Sequence, residues 1–186
     1  MTSSRRRDAA IAGDDVWISG SLGDARLALA GLRQEVPLDP DRLHLAAQRM
    51  HAPTPRIALG RALASAHLAH AALDISDGLV GDLGHILAAS KVGATLDADA
   101  LPAGPALTTQ ERSLKRRFSA AGGDDYELCF TAAPAQRAAI IEAGLREGLP
   151  MPFDCRNGGC WRSPATSTTA HRAPRVSPST WDLAGI

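Results

Sequence analysis

His70-Ala71-Ala72-Leu73-Asp74-Ile75-Ser76-Asp77-Gly78-Leu79-Val80-Gly81-Asp82-Leu83-Gly84-His85-Ile86-Leu87 changes its hydrophobic period in the middle. Up to Ile75 the residues are apolar at adjacent positions, as in a strand covered on both faces. Beyond the break at Ser76-Asp77-Gly78, Leu79, Val80, Leu83, Ile86 and Leu87 recur at three- and four-residue spacing, which predicts a helix. Strand, polar turn and helix follow one another without a spacer. The same alternation extends outward. Val16-Trp17-Ile18-Ser19 reads as a short strand, and Leu27, Leu29 and Leu32 as a helix that Asp24 would cap. Leu43 to Met50 and the segment marked by Ile57, Leu59 and Leu63 read as two more helices, separated by the prolines at 53 and 55. Ala94 to Asp97 and Tyr126 to Thr131 read as strands, and Ala135 to Arg146 as a helix with Pro134 in its first turn. The order predicts an α/β (α+β) domain built on one mixed sheet flanked by helices.

The composition narrows the function classes. The 186 residues carry 20 Lys+Arg and 20 Asp+Glu, and aromatics make up 4%. Zero formal charge gives no general electrostatic argument for nucleic acid or an anionic membrane. No apolar run reaches the roughly 18 residues of a membrane span, and Met1 to Asp15 lacks the apolar core of a signal peptide. Three cysteines, Cys129, Cys155 and Cys160, do not make a disulfide framework. Cytoplasmic localisation is the expectation. Charge is unevenly spread: 16 basic and 18 acidic residues fall in 1–153, four Arg and two Asp in 154–186. The latter segment holds 11 Ser, Thr or Pro in 33 residues and shows no periodicity, so a disordered tail is expected after Phe153.

The densest chemistry lies in Asp74-Ile75-Ser76-Asp77-Gly78. Two carboxylates and a hydroxyl at a strand-to-helix junction suit Mg²⁺, which takes one or two Asp together with phosphate oxygens and water. The amides of a helix's first turn attract phosphate. The plainer alternative is that Ser76 or Asp77 caps the helix while Asp74 ends the strand. Gly122-Gly123-Asp124-Asp125-Tyr126-Glu127 is the second cluster; its three acids need donors, a cation or solvent to offset their repulsion, and a solvated turn before a strand would also accommodate them. Gly20-Ser21-Leu22-Gly23-Asp24 resembles a phosphate cradle without the lysine of a P-loop. Arg5-Arg6-Arg7 could pair with phosphate. Cys155, Cys160 and His171 match no common zinc-finger spacing.

Taken in order, these strings resemble the thiamine-monophosphate kinase family, within the superfamily of aminoimidazole ribonucleotide synthetase. Ala72 to Leu79, Asp82-Leu83-Gly84-His85 and Gly122 to Leu128 carry the likeness, with Gly13 to Gly20, Leu22-Gly23-Asp24 and Pro53-Thr54-Pro55-Arg56 in register. The resemblance covers the C-terminal domain of that family, here residues 1–153. It implies the C-terminal domain of the aminoimidazole ribonucleotide synthetase-like fold. It also implies ATP-dependent phosphorylation of thiamine monophosphate to thiamine diphosphate with Mg²⁺. By motif position it implies Asp74 and Asp77 as metal ligands, Ser76 and Arg7 as ATP contacts, with Arg5 and Arg6 as alternatives in register to Arg7, and Asp124 as a substrate contact. The family's N-terminal domain, which bears most metal ligands and the homodimer interface, has no counterpart in the sequence, nor has its Gly-Tyr-Asp-His-Phe-like C-terminal string. The expectations are therefore a truncated chain, incompetent alone, and a tail produced by a frameshift in a GC-rich gene. The alternative is a non-catalytic nucleotide- or thiamine-phosphate-binding remnant.

Overall fold

In the computed structural model residues 7–149 are described. The boundary near Phe153, the tail, Cys155, Cys160, His171, Arg5 and Arg6 lie outside them. Strands β1 (Asp15–Ile18), β2 (Ala71–Asp74) and β3 (Leu128–Ala132) form one sheet in the order β1-β3-β2. β3, the last strand among the described residues, inserts between the other two, with Trp17 opposite Phe130 and Leu73 opposite Cys129. The α/β class holds. The sheet, expected to be mixed, pairs antiparallel, because β3 runs against both neighbours; the parallel pairing is an isolated bridge between Leu22 and Ala103.

Side-chain alternation along the strands gives the sheet two apolar faces. Val16, Ile18, Ala71, Leu73 and Cys129 pack with Leu79, Leu83 and Ile86 of α4 (Leu79–Ser90). On the other face Trp17, Phe130 and Ala132 meet Leu59 and Leu63 of α3 (Ile57–Ser65) and Ile140 and Ala143 of α6 (Arg137–Arg146). The Trp17 and Phe130 rings stack 6.1 Å apart at an interplanar angle of 8°. A third cluster joins α1 (Asp24–Leu32), α2 (Pro40–His51) and α5 (Arg112–Ala121) through Leu27, Ala46, Leu107 and Phe118. Two acids at the start of β1 pin the edges. Asp15, buried, takes both forks of Arg137 at 2.6 and 2.7 Å, and Asp14 accepts His70 Nδ1 at 2.8 Å.

Three details differ from the sequence expectation. Residues 94–97 form no strand: Val92, Ala94 and Leu96 alternate inward onto the first cluster, but no neighbouring strand among the described residues supplies a ladder. α5 is a helix that periodicity did not reveal, because only Leu114 and Phe118 mark its apolar stripe. Asp24 does not cap α1; Gly23 holds that position at φ 88°, and the Asp24 carboxylate accepts from the amides of Leu107 at 2.9 Å and Ala106 at 3.3 Å. No helix among the described residues is long and apolar enough to cross a membrane.

Trp17 is fully buried and Ile57 is 69% exposed. Trp17→Ala should therefore cost about 3–5 kcal/mol in urea unfolding. Ile57→Ala should stay within about 0.5 kcal/mol. Equal effects would contradict the placement of the core.

Candidate functional site

β2 ends at Asp74 and α4 begins at Leu79, so residues 75–78 turn the chain at the sheet's edge. A second turn, 122–127, is zipped to it by backbone hydrogen bonds. The amide of Ile75 donates to the Glu127 carbonyl at 2.7 Å, that of Asp124 to Ser76 at 2.9 Å, and that of Tyr126 to Ile75 at 2.9 Å. The approach depends on two glycines. A Cβ on Gly123 would lie 2.6 Å from the Ser76 carbonyl oxygen, and one on Gly78 (φ 106°) 2.9 Å from the Ala121 carbonyl carbon. Asp124 and Tyr126 both adopt the left-handed region, at φ 67° and 51°, which non-glycine residues enter only when their surroundings impose it.

This zip brings Asp74, Ser76, Asp77 and Asp124 to one edge. The three carboxylates are exposed and Ser76 is half-buried. Among the described residues no hydrogen bond or ion pair engages these three carboxylates, and no three metal-ligating side chains converge. Two exposed aspartates fit the chemistry of Mg²⁺, which keeps water and phosphate oxygens in most of its positions.

Asp82 fixes the turn from behind. Its buried Oδ2 accepts the amides of both Ser76 (2.8 Å) and Asp77 (3.0 Å). Those amides are thus committed and do not form a phosphate cradle. The capping role open to Ser76 or Asp77 is not used either: Gly78 is the N-cap of α4 and no side chain caps the helix. The carboxylate also lies in the helix's first turn, where the dipole favours negative charge. Buried Cys129 has its thiol pushed up to about 12, first by burial and then by the charge of Asp82, so it is no nucleophile.

The other acids of the 122–127 turn point inward. Glu127 is fully buried and fully satisfied. Arg56 donates Nε to Oε2 and Nη2 to Oε1, both at 2.6 Å, Arg49 Nη2 donates to Oε1 at 2.7 Å, and the Ser19 hydroxyl donates to Oε2 at 2.7 Å. Arg49 Nη2 also reaches the Asp125 carbonyl at 3.1 Å. Asp125 is buried with no cationic side chain among the described residues bonded to its carboxylate, which accepts the Gly23 amide at 2.9 Å on each oxygen. Burial pushes its carboxyl up to about 7, with the charges of Glu127 and Asp24 adding and the Gly23 amide and Arg49 opposing. Asp24 is raised as well, again chiefly by burial. The Gly20–Asp24 turn is therefore no open cradle, since its Gly23 and Leu22 amides are spent on Asp125 and the Pro102 carbonyl. A cleft of about 210 Å³ remains there, lined by Ser21, Asp24, Arg49, Arg56 and Glu127 among others.

Arg7 is placed elsewhere. Its carbonyl accepts the Ser90 hydroxyl at 3.2 Å, at the far end of α4. The helix has 12 residues. At 1.5 Å per residue α4 is roughly 18 Å long, so the Arg7 backbone lies about that far from the helix's first residue. Sequence reasoning assigned no role to Arg49, Arg56 or Asp82. Pro55 immediately before Arg56, and an acid in the first turn of the α4 pattern, were the available signals.

Asp82→Ala leaves two amides without their acceptor and should cost about 1–3 kcal/mol, with faster hydrogen exchange at Ser76 and Asp77. Asp82→Asn should restore most of the loss, because one oxygen takes both bonds; an Asn variant as damaged as Ala would contradict this role. A carboxyl raised to about 7 in the folded chain favours folding below its unfolded value near 4, and that contribution is lost as pH rises through about 7. Stability should thus fall from pH 5 to 8 more steeply in the parent than in Asp125→Asn, measured by urea unfolding. Parallel profiles would contradict the burial of this acid.

The chain matches the family model for AIR synthase related protein, C-terminal domain, over residues 12–150. It is 40% identical over 152 residues to a thiamine-monophosphate kinase of Salmonella typhimurium, covering 81% of this chain and 46% of that protein. The crystal structure of thiamine-monophosphate kinase from Stenotrophomonas maltophilia K279a is similar with a TM-score of 0.74 at 43% identity, over 84% of this chain and 49% of that one. A structure of AaThiL complexed with AMPPCP and TMP is similar with a TM-score of 0.60 at 32% identity, over 70% of this chain and 42% of that one. The chain spans about half the length of the curated relatives it matches. Every strand and helix described above lies inside the matched segment, and the chain belongs to the AIR synthase related protein family through this C-terminal domain.

Proposed function

We propose that this chain contributes one side of the centre that phosphorylates thiamine monophosphate to thiamine diphosphate at the expense of ATP. The observation that carries the reading is the edge of exposed, unengaged carboxylates, Asp74, Asp77 and Asp124, held in place from behind by Asp82 and Glu127. It is supported by relatives at about 40% identity that are thiamine-monophosphate kinases, and by the similarity to AaThiL complexed with AMPPCP and TMP. An oxygen of the substrate phosphate bonds to the γ-phosphorus of ATP, the bond from that phosphorus to the bridging oxygen breaks, and ADP leaves. Such a transfer depends on positioning and charge neutralisation rather than on a protein nucleophile.

In this reading Asp74 and Asp77 hold Mg²⁺, which when bound neutralises phosphate oxygens. The Ser76 hydroxyl donates to a nucleotide phosphate, and Asp124, presented outward by its left-handed backbone, meets the thiamine substrate. Arg7, by the same reading, contacts the nucleotide at a point remote from Asp74 and Asp77. In this reading these residues neutralise one side of the transition-state charge and do not suffice alone. The second reading, for the chain by itself, is a module that binds nucleotide or thiamine phosphate without turnover.

Calorimetry of the full chain with AMPPCP and Mg²⁺ should show saturable binding that Asp77→Asn weakens at least tenfold. Assay of ADP and thiamine diphosphate should show no turnover near the 1–100 s⁻¹ of kinases. Binding indifferent to Asp77→Asn would overturn the site, and turnover in that range would overturn the claim of insufficiency.

A further inference from the structure

α5 opens with a charge pattern that its own helix opposes. Arg112, Lys115, Arg116 and Arg117 fall within its first six residues, with no acid in the first turn. The N-terminal end of a helix carries partial positive charge, so cations there are disfavoured. Arg112 and Arg116, one turn apart, would also repel each other. Both fork onto one carboxylate, that of Asp99 in the facing loop. Lys115 lies on the same face and adds a further cation. The Lys115 ammonium has no hydrogen bond or ion pair among the described residues. Exposed Asp97 is the other acid acting on Arg112 and Arg116.

The same α5 face and the 98–103 loop border an open pocket of about 500 Å³, lined by Asp99, Thr108, Arg112, Lys115, Arg116 and Ser119 together with apolar loop residues. The Thr108 hydroxyl donates to the Pro105 carbonyl. The Ser119 hydroxyl has no such outlet. Ser119 is 2% exposed, and its buried oxygen has no hydrogen-bond partner among the described residues. Buried polar atoms without a partner in a native fold call for one, an ion or water included.

We infer that this pocket is a binding site for a phosphomonoester, whose phosphoryl oxygens accept from Lys115, the Arg112–Arg116 pair and the Ser119 hydroxyl, in competition with Asp99. The volume lies within the range of small-molecule pockets and exceeds what a bare ion fills. The site carries cations where the Asp74–Asp124 edge carries carboxylates, so it takes phosphate without a metal. It is independent of the proposed transfer reaction.

The test is calorimetry of the full chain at low ionic strength, with EDTA present to silence the acidic edge, using AMP and inorganic phosphate as probes. AMP should bind saturably at one equivalent and at least as tightly as phosphate. Lys115→Met should weaken it tenfold or more and Ser119→Ala about threefold. Asp99→Asn should tighten it severalfold, an outcome that a damaged fold would not produce; the half-exposed Lys115 is replaced without touching the Asp99 tether. Failure of AMP to saturate, AMP binding tenfold weaker than phosphate, no loss in Lys115→Met, or no gain in Asp99→Asn would each overturn the inference. So would equal loss in Asp77→Asn, which would place the ligand at the acidic edge instead.

Discussion

The buried carboxylate of Glu127 is the constraint from which the architecture of the edge follows. Taking a carboxylate out of water costs several kcal/mol unless its lone pairs are filled. Here they are filled by two arginines from the helical layer and by Ser19 at the end of β1. Ser19 in turn accepts the Leu128 amide at 2.7 Å, so one side chain fixes both the entry to the central strand and its register against β1. With Glu127 held inside, the residues before it have little choice. Asp125 turns in onto the Gly23 amide, while Tyr126 and Asp124 take left-handed backbone and point outward. The strain at those two positions is the cost of presenting Asp124 to solvent beside Ser76.

Asp82 does for the 75–78 turn what Glu127 does for the other. A single carboxylate oxygen gathers two successive amides, so the turn's backbone is satisfied internally and its side chains are left over for a ligand. The two devices are joined by the hydrogen bonds between 75–76 and 124–127, and both rest on the sheet through β2 and β3. Acids buried behind and acids exposed in front is an arrangement suited to multiply charged phosphates met through a metal. The basic pocket on α5 uses the opposite charge for the same class of ligand.

Much of the fold was legible because apolar periodicity records burial directly. Leu79, Leu83 and Ile86 mark the face of α4, and Val16 and Ile18 one face of β1. The same logic misled at 94–97, where alternating burial is real but no strand among the described residues completes a ladder. It missed α5, whose few apolar residues face a small third cluster and whose cations face a pocket. At the site, Asp74, Ser76, Asp77 and Asp124 could be picked out as residue types, and the fold does gather them at one edge. What the string Gly-Gly-Asp-Asp-Tyr-Glu could not reveal is which acids turn inward, because that depends on positive φ at Asp124 and Tyr126 and on arginines some 70 residues away. Nor does sequence distance reveal that the Arg7 backbone lies beside Ser90, at the other end of α4.

In the proposed function a metal–phosphate ligand is met at the edge formed by Asp74, Ser76, Asp77 and Asp124. Paramagnetic broadening of backbone amides by Mn²⁺ with AMPPCP, on the full isotope-labelled chain, tests it most directly. The expected result is selective loss of the signals of residues 74–78 and 124, with α5 amides from Arg112 to Lys115 spared. Broadening centred elsewhere, or spread evenly over the chain, would contradict it.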